Sequence, residues 1–221
     1  IFFNTLEIDN SYLINAKWNL GKTGKLAAYG FWLNFDDGDS ANDTKTFGLR
    51  YTAAYGGETK FLLTAELAQQ SDYSDYTKAA NDDDFSATYA NLELGIKNGG
   101  FTGKIGYELL GSDNGDEAVT FPLATGHKFN GWVDIFLTTP DTGLEDSYLM
   151  LAGTFNDLTM KLFYHDYTSD EGSIDYGSEV NFVLVKPVSE RLSLTAKAGF
   201  YDADELGADT DRFWLQADYA F

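Results

Sequence analysis

The chain has 221 residues, no cysteine, three prolines, 16% aromatic residues and a formal charge of −20. The absence of cysteine excludes a disulfide framework and any thiolate metal site, and the acidity removes the basic surface that non-specific nucleic-acid binding needs. So many aromatic residues argue against a disordered acidic segment, and no run approaches the roughly 18 apolar residues of a transmembrane helix.

A β-barrel stays open to such a chain, because it pairs its backbone between strands and crosses lipid with alternating sequence. The chain begins Ile1-Phe2-Phe3, which reads as the start of a mature product or of a fragment. In chain order, alternation at period two marks strands over residues 10–18, 26–35, 45–55 and 59–70, with 1–8 a candidate for one more. In 85–97, Thr88, Ala90, Leu92, Leu94 and Ile96 alternate with Tyr89, Asn91, Glu93 and Lys97. In 101–111, Phe101, Ile105, Tyr107 and Leu109 oppose Lys104, Gly106 and Glu108. Segments 147–155 and 176–186 alternate less cleanly, whereas 158–167 and 192–201 keep the pattern. It is clearest in 209–221, where Phe213, Leu215, Ala217, Tyr219 and Phe221 share one face. The total is roughly eleven or twelve strands, each of a length that a tilted membrane strand needs.

The connections alternate too. Short links at 20–25, 56–58, 98–100, 156–157 and 187–191 separate long ones at 36–44, 71–84, 112–144, 169–175 and 202–209. That order is expected of a barrel with one rim toward the periplasm and the other outside. Phe221 then belongs at the short-turn rim. Trp18, Tyr55, Phe101, Phe155 and Tyr219 fall near that rim, and Phe35, Phe47, Tyr164 and Phe213 near the other, as two aromatic girdles would. The competing account is a soluble all-β protein with these aromatics in its core.

Charges are sorted by position. Most carboxylates lie in the long connections, whereas Lys17, Arg50, Lys60, Lys104, Lys161, Lys197 and Arg212 occupy the strand phase opposite the apolar one. On the lipid face a charge near the midplane costs roughly 2–4 kcal/mol, so this phase should face a polar interior. Two readings stay open: a cationic pore wall that attracts anions, or cations paired across strands with Glu66, Glu93, Glu108 and Asp218. Asp36-Asp37-Gly38-Asp39 and Asp113-Asn114-Gly115-Asp116-Glu117 offer oxygen ligands, but neither has the EF-hand spacing. They read as solvated loops, bridged at most loosely to lipopolysaccharide. No metal or cofactor site is expected. Catalytic motifs are absent, and only His165, beside Asp166, and His127 could serve a hydrolase.

The long connection 112–144 is too apolar for an exposed loop. Its Phe129, Trp132, Ile135 and Phe136 must be buried, and folding inward as a constriction would do this, carrying His127, Lys128 and Asp134 along. The alternative is packing on the outer rim or on a partner. The run from Pro122 to Asp134 (PLATGHKFNGWVD), with Leu109-Leu110-Gly111-Ser112-Asp113, Gly143-Leu144-Glu145-Asp146, Asp175-Tyr176-Gly177-Ser178-Glu179 and Tyr201-Asp202-Ala203-Asp204, resembles the C-terminal half of the alginate export family of outer-membrane porins. Residues 1–108 share only its general style.

The resemblance implies a monomeric barrel of about eighteen strands, wide enough for an aqueous channel, that exports an anionic polysaccharide. This chain is too short for that size. It is a fragment, one part of a split barrel, or a smaller closed barrel of about twelve strands. The expectation is therefore an all-β antiparallel transmembrane barrel, a single unit over 1–221, in the outer membrane among lipid and lipopolysaccharide. It would act as a non-enzymatic channel for hydrophilic solutes, with Arg50, Lys60, Glu66, Glu93, Lys104, Lys161, Lys197 and Arg212 lining the pore. A plugged structural or adhesive barrel and an outer-membrane hydrolase are the alternatives.

Overall fold

The computed structural model describes residues 8–35, 42–74, 85–124 and 129–221. Eleven strands form one antiparallel sheet in chain order: β1 (Tyr12–Asn19), β2 (Lys25–Leu33), β3 (Thr44–Gly56), β4 (Thr59–Asp72), β5 (Ser86–Asn98), β6 (Phe101–Leu110), β9 (Leu144–Phe155), β10 (Leu158–Thr168), β11 (Asp175–Pro187), β12 (Leu192–Ala203) and β13 (Thr210–Tyr219). Among the described residues β1 and β13 are edges, each paired on one side only. The connection from β6 to β9 carries a separate ribbon, β7 (Ser112–Asp113) with β8 (Glu117–Ala118). Of the candidate strand 1–8, residues 1–7 lie outside the described residues, and Ile8 makes an isolated bridge to Phe35.

Short links close as tight hairpins. Asn156 and Asp157, with φ of 48° and 62°, turn β9 into β10 directly, so that Phe155 faces Leu158. Two positive φ values match the right-handed twist of the flanking strands, and Asn and Asp tolerate them best after glycine. The less regular alternation of 147–155 and 176–186 still yields full strands, because both neighbours of β9 and of β11 impose their register.

The two faces differ in a way opposite to a soluble sheet. On the outer face Phe47 (49% exposed), Leu67 (62%), Phe155 (70%) and Leu215 (90%) stand in the open, in rows with Leu92, Leu94, Ile96 and Ile105. The girdle residues Trp18, Tyr55, Phe101, Tyr164, Phe213 and Tyr219 are exposed as well. Phe35 departs from the expected girdle. It is buried, its N–H donates to Asp43 Oδ1 at 2.7 Å, and it bridges to Ile8. The apolar core sits behind the other face at the long-connection end, where Val119, Val133 and Phe136 of the β6–β9 connection pack with Phe85, Leu110, Leu144, Tyr167, Tyr176 and Tyr201.

Candidate functional site

The polar strand phase forms a single surface, called here the inner face. Period-two geometry and the pairing register bring Arg50, Lys60, Glu66, Glu93, Lys104, Lys161, Lys197 and Arg212 all onto it. Their electrostatic states differ. Arg50 donates from Nη1 to Glu66 Oε2 at 2.5 Å, and Lys104 Nζ to Glu93 Oε1 at 2.7 Å. Arg212 Nη1 meets Asp134 Oδ2 at 2.9 Å. Lys197 Nζ stands 4.3 Å from the Trp132 ring centroid and 5.4 Å from that of Trp214, a cation–π arrangement. Lys60 and Lys161 are exposed, and neither has an ion-pair partner among the described residues.

Two of these pairs belong to matching brackets. Tyr29 on β2 lies across Gly48 of β3 and donates to Glu66 Oε1 at 2.8 Å, on the carboxylate that holds Arg50. Tyr148 on β9 lies across Gly106 of β6 and donates to Glu93 Oε2 at 3.1 Å, on the carboxylate that holds Lys104. Each glycine is the register partner of its tyrosine, and a Cβ there would strike the phenol ring. In both brackets the basic residue stands two positions from the glycine, toward the short-turn end. Sequence reading located the charged members but missed Tyr29, Gly48, Tyr148 and Gly106; glycine opposite tyrosine across a hairpin is the signal that could have found them.

The connection from β6 to β9 folds onto the inner face. Glu179 Oε1, wholly buried on β11, accepts from the N–H groups of Trp132 at 2.6 Å and Val133 at 2.9 Å; Asn181 Oδ1 accepts from Trp132 N–H at 3.1 Å. Gly131, with φ of +84°, presses against Glu179 and Tyr167 where a Cβ would not fit. Asn130 donates to Glu108 Oε2 at 2.9 Å, and Glu108 also accepts from the Tyr89 hydroxyl at 2.6 Å. Phe136 inserts among Tyr167, Tyr176 and Tyr201, with ring centroids 4.5 to 6.3 Å away. Of the candidate loop residues, Trp132 and Asp134 thus face the strand wall, and Phe129 is exposed. His127 and Lys128 lie outside the described residues.

His165, considered for a hydrolase, is 3% exposed. Its Nδ1 is 2.9 Å from Asp146 Oδ2, and its ring stacks between Phe163 and Tyr167. That arrangement buries the ring within the wall, held by Asp146 and its aromatic neighbours. No group of His, Asp and Glu among the described residues is spaced to hold a metal ion.

An open meander with an apolar exterior, a polar interior and an inward loop has the architecture of part of an outer-membrane β-barrel. The chain is similar to the crystal structure of OccK5 (OpdH) from Pseudomonas aeruginosa, with a TM-score of 0.69 and 12% identity, over 95% of this chain and 57% of that one. It therefore spans little more than half of the OccK5 chain. No family model matches this chain, the alginate export family included, and no curated protein matches it in sequence.

Proposed function

We propose that this chain forms part of the wall of a bacterial outer-membrane channel for passive diffusion of hydrophilic solutes, narrowed by residues 129–136. The observation that carries the reading is the inverted polarity. Rows of large apolar side chains stand exposed outside while charged groups and a tethered loop occupy the inner face. Water would make such an exterior aggregate, whereas lipid solvates it. The likeness in fold to OccK5, an outer-membrane channel, supports the same reading.

The surroundings would be lipid and lipopolysaccharide, and the barrel a monomer whose edges β1 and β13 pair with further strands. For an anionic oligo- or polysaccharide cargo, the supporting feature is the exposed lysines Lys60 and Lys161. Arg50 and Lys104 carry charge already balanced by Glu66 and Glu93. The test is single-channel conductance of protein inserted in a planar bilayer. Steady conductance supports the channel. A correctly inserted protein that stays silent overturns it in favour of a plugged structural barrel.

A further inference from the structure

We infer that the channel is electrically polarised along its axis, with a lysine mouth at the short-turn end and a carboxylate mouth at the other, and that it rectifies ion current. The inference rests on the channel reading above. Its basis is where the unbalanced charges lie on the inner face.

Three inner cations are balanced: Arg50 by Glu66 and Lys104 by Glu93 at mid-strand, and Arg212 by Asp134 nearer the long-connection end. The short turns themselves are mixed, with Lys22 and Arg191 beside Glu58, Asp157 and Glu190, and one inner carboxylate, Asp218, stands at that end of β13. The positive excess there rests on the lysines of the strand ends. Lys17 is the third residue from the end of β1, Lys25 the first of β2, Lys60 the second of β4, and Lys97 the second from the end of β5. All four are exposed, in the inner phase, and without an ion-pair partner among the described residues. Lys60 and Lys97 face each other directly across the β4–β5 ladder. Like charges in that position destabilise a sheet, so the pair keeps its positive field at a cost in stability.

The opposite end carries the reverse sign. Among the described residues of the long connections (42–43, 73–74, 111–124, 129–143, 169–174 and 204–209) there is no lysine or arginine. Residues 169–174 and 204–209 alone hold Asp170, Glu171, Asp204, Glu205 and Asp209, four of them exposed.

Two mouths of opposite sign in series make conduction depend on the direction of the voltage. With the long-connection side positive, cations enter through the carboxylates and anions through the lysines, and both accumulate inside. Reversing the voltage drives each ion against the mouth that repels it, and the pore is depleted. The asymmetry requires that charge be felt across the opening. Screening extends about 10 Å at 0.1 M salt and about 3 Å at 1 M, so the effect belongs to dilute solution.

The experiment is the current–voltage curve of single channels in KCl at both salt concentrations. Because the chain has no cysteine, one introduced by Gly57→Cys in the exposed β3–β4 turn, where a Cβ meets nothing within 4 Å, can be biotinylated. Streptavidin added to one side then reports the orientation of each channel. The expected result at 0.1 M is a current larger by about 1.5-fold or more with the long-connection side positive, falling toward equality at 1 M. The K25Q/K60Q/K97Q variant should lose most of that asymmetry while still conducting. A symmetric curve at 0.1 M from a conducting channel, or the opposite sign, overturns the inference and leaves the channel reading standing. Absence of any conductance overturns both.

Discussion

The inner face has two halves built on different principles. From β2 across to Tyr148 of β9 it is held by hydrogen-bonded brackets in which a tyrosine crosses a glycine to reach a carboxylate already bound to a cation. From β9 to β12 it is covered by the inserted connection, whose Phe136 is sealed among three tyrosines and whose backbone is held by Glu179. The first half is stabilised by polar satisfaction at partly exposed sites, the second by burial. Substitutions should therefore be costly under the loop and mild beside the brackets, and that contrast can be broken or sharpened in order of size.

The largest effect belongs to Phe136→Ala. Removing a buried ring from among Tyr167, Tyr176 and Tyr201 leaves a cavity, and such changes cost about 3–5 kcal/mol. Urea unfolding in micelles should register the loss. Conductance should rise as the freed loop leaves the wall. Unchanged stability together with unchanged conductance would show that the connection is not anchored there.

Next come Gly48→Ala and Gly106→Ala. Both glycines sit under a phenol ring, and overpacking of this kind costs about 1–3 kcal/mol. Gly57→Ala, with open space around its position, serves as the control and should stay within about 0.5 kcal/mol of the parent. Equal behaviour of all three would dissolve the bracket as a structural unit.

Much of this architecture was legible as period-two alternation, because a strand with lipid on one side and water on the other must alternate. The apolar run around Trp132 was equally legible as a loop needing burial. What lay beyond reach depends on register between distant strands. No local pattern says that Glu179 will accept from Trp132 and Val133, 47 and 46 positions away, or that Arg212 will find Asp134, 78 positions away. The strand phase put Lys60 and Lys97 on one face, but only the ladder makes them direct neighbours. By position Phe35 reads as a girdle residue, yet its side chain is buried, with its N–H donating to the Asp43 carboxylate and its backbone bridged to Ile8. Whether the inner cations were paired was open in the sequence, and the answer is divided: Arg50, Lys104 and Arg212 meet carboxylates, whereas Lys60, Lys97 and Lys161 meet none among the described residues.

Glu179→Gln has a smaller expected effect. The amide still offers an oxygen to the N–H groups of Trp132 and Val133 but without the charge. Charged hydrogen bonds exceed neutral ones by about 1 kcal/mol, so a loss near that figure is expected in the same urea titration. A loss above that of Phe136→Ala would make the carboxylate the principal tether and reverse the ranking of burial over polar satisfaction.

The smallest effect, and the sharpest comparison with the lysine mouth, concerns Arg50 and Glu66. Arg50 is half exposed and Glu66 nearly buried, with side-chain exposures of 49% and 9%. A partly exposed pair contributes about 0–1 kcal/mol, so neither single neutralisation should unfold the barrel. Ion selectivity should respond more clearly. Arg50→Gln strips the balancing charge from Glu66 and should move the reversal potential toward cations, while Glu66→Gln moves it toward anions. The double variant restores the mid-strand balance and should return to the parent value. Lys60→Gln has no carboxylate to rebalance it among the described residues, so its shift toward cations should persist whichever form of the Arg50–Glu66 pair is present. If the double variant instead matched Arg50→Gln alone, the arginine would carry field on its own account, and the mid-strand wall would belong with the lysine mouth.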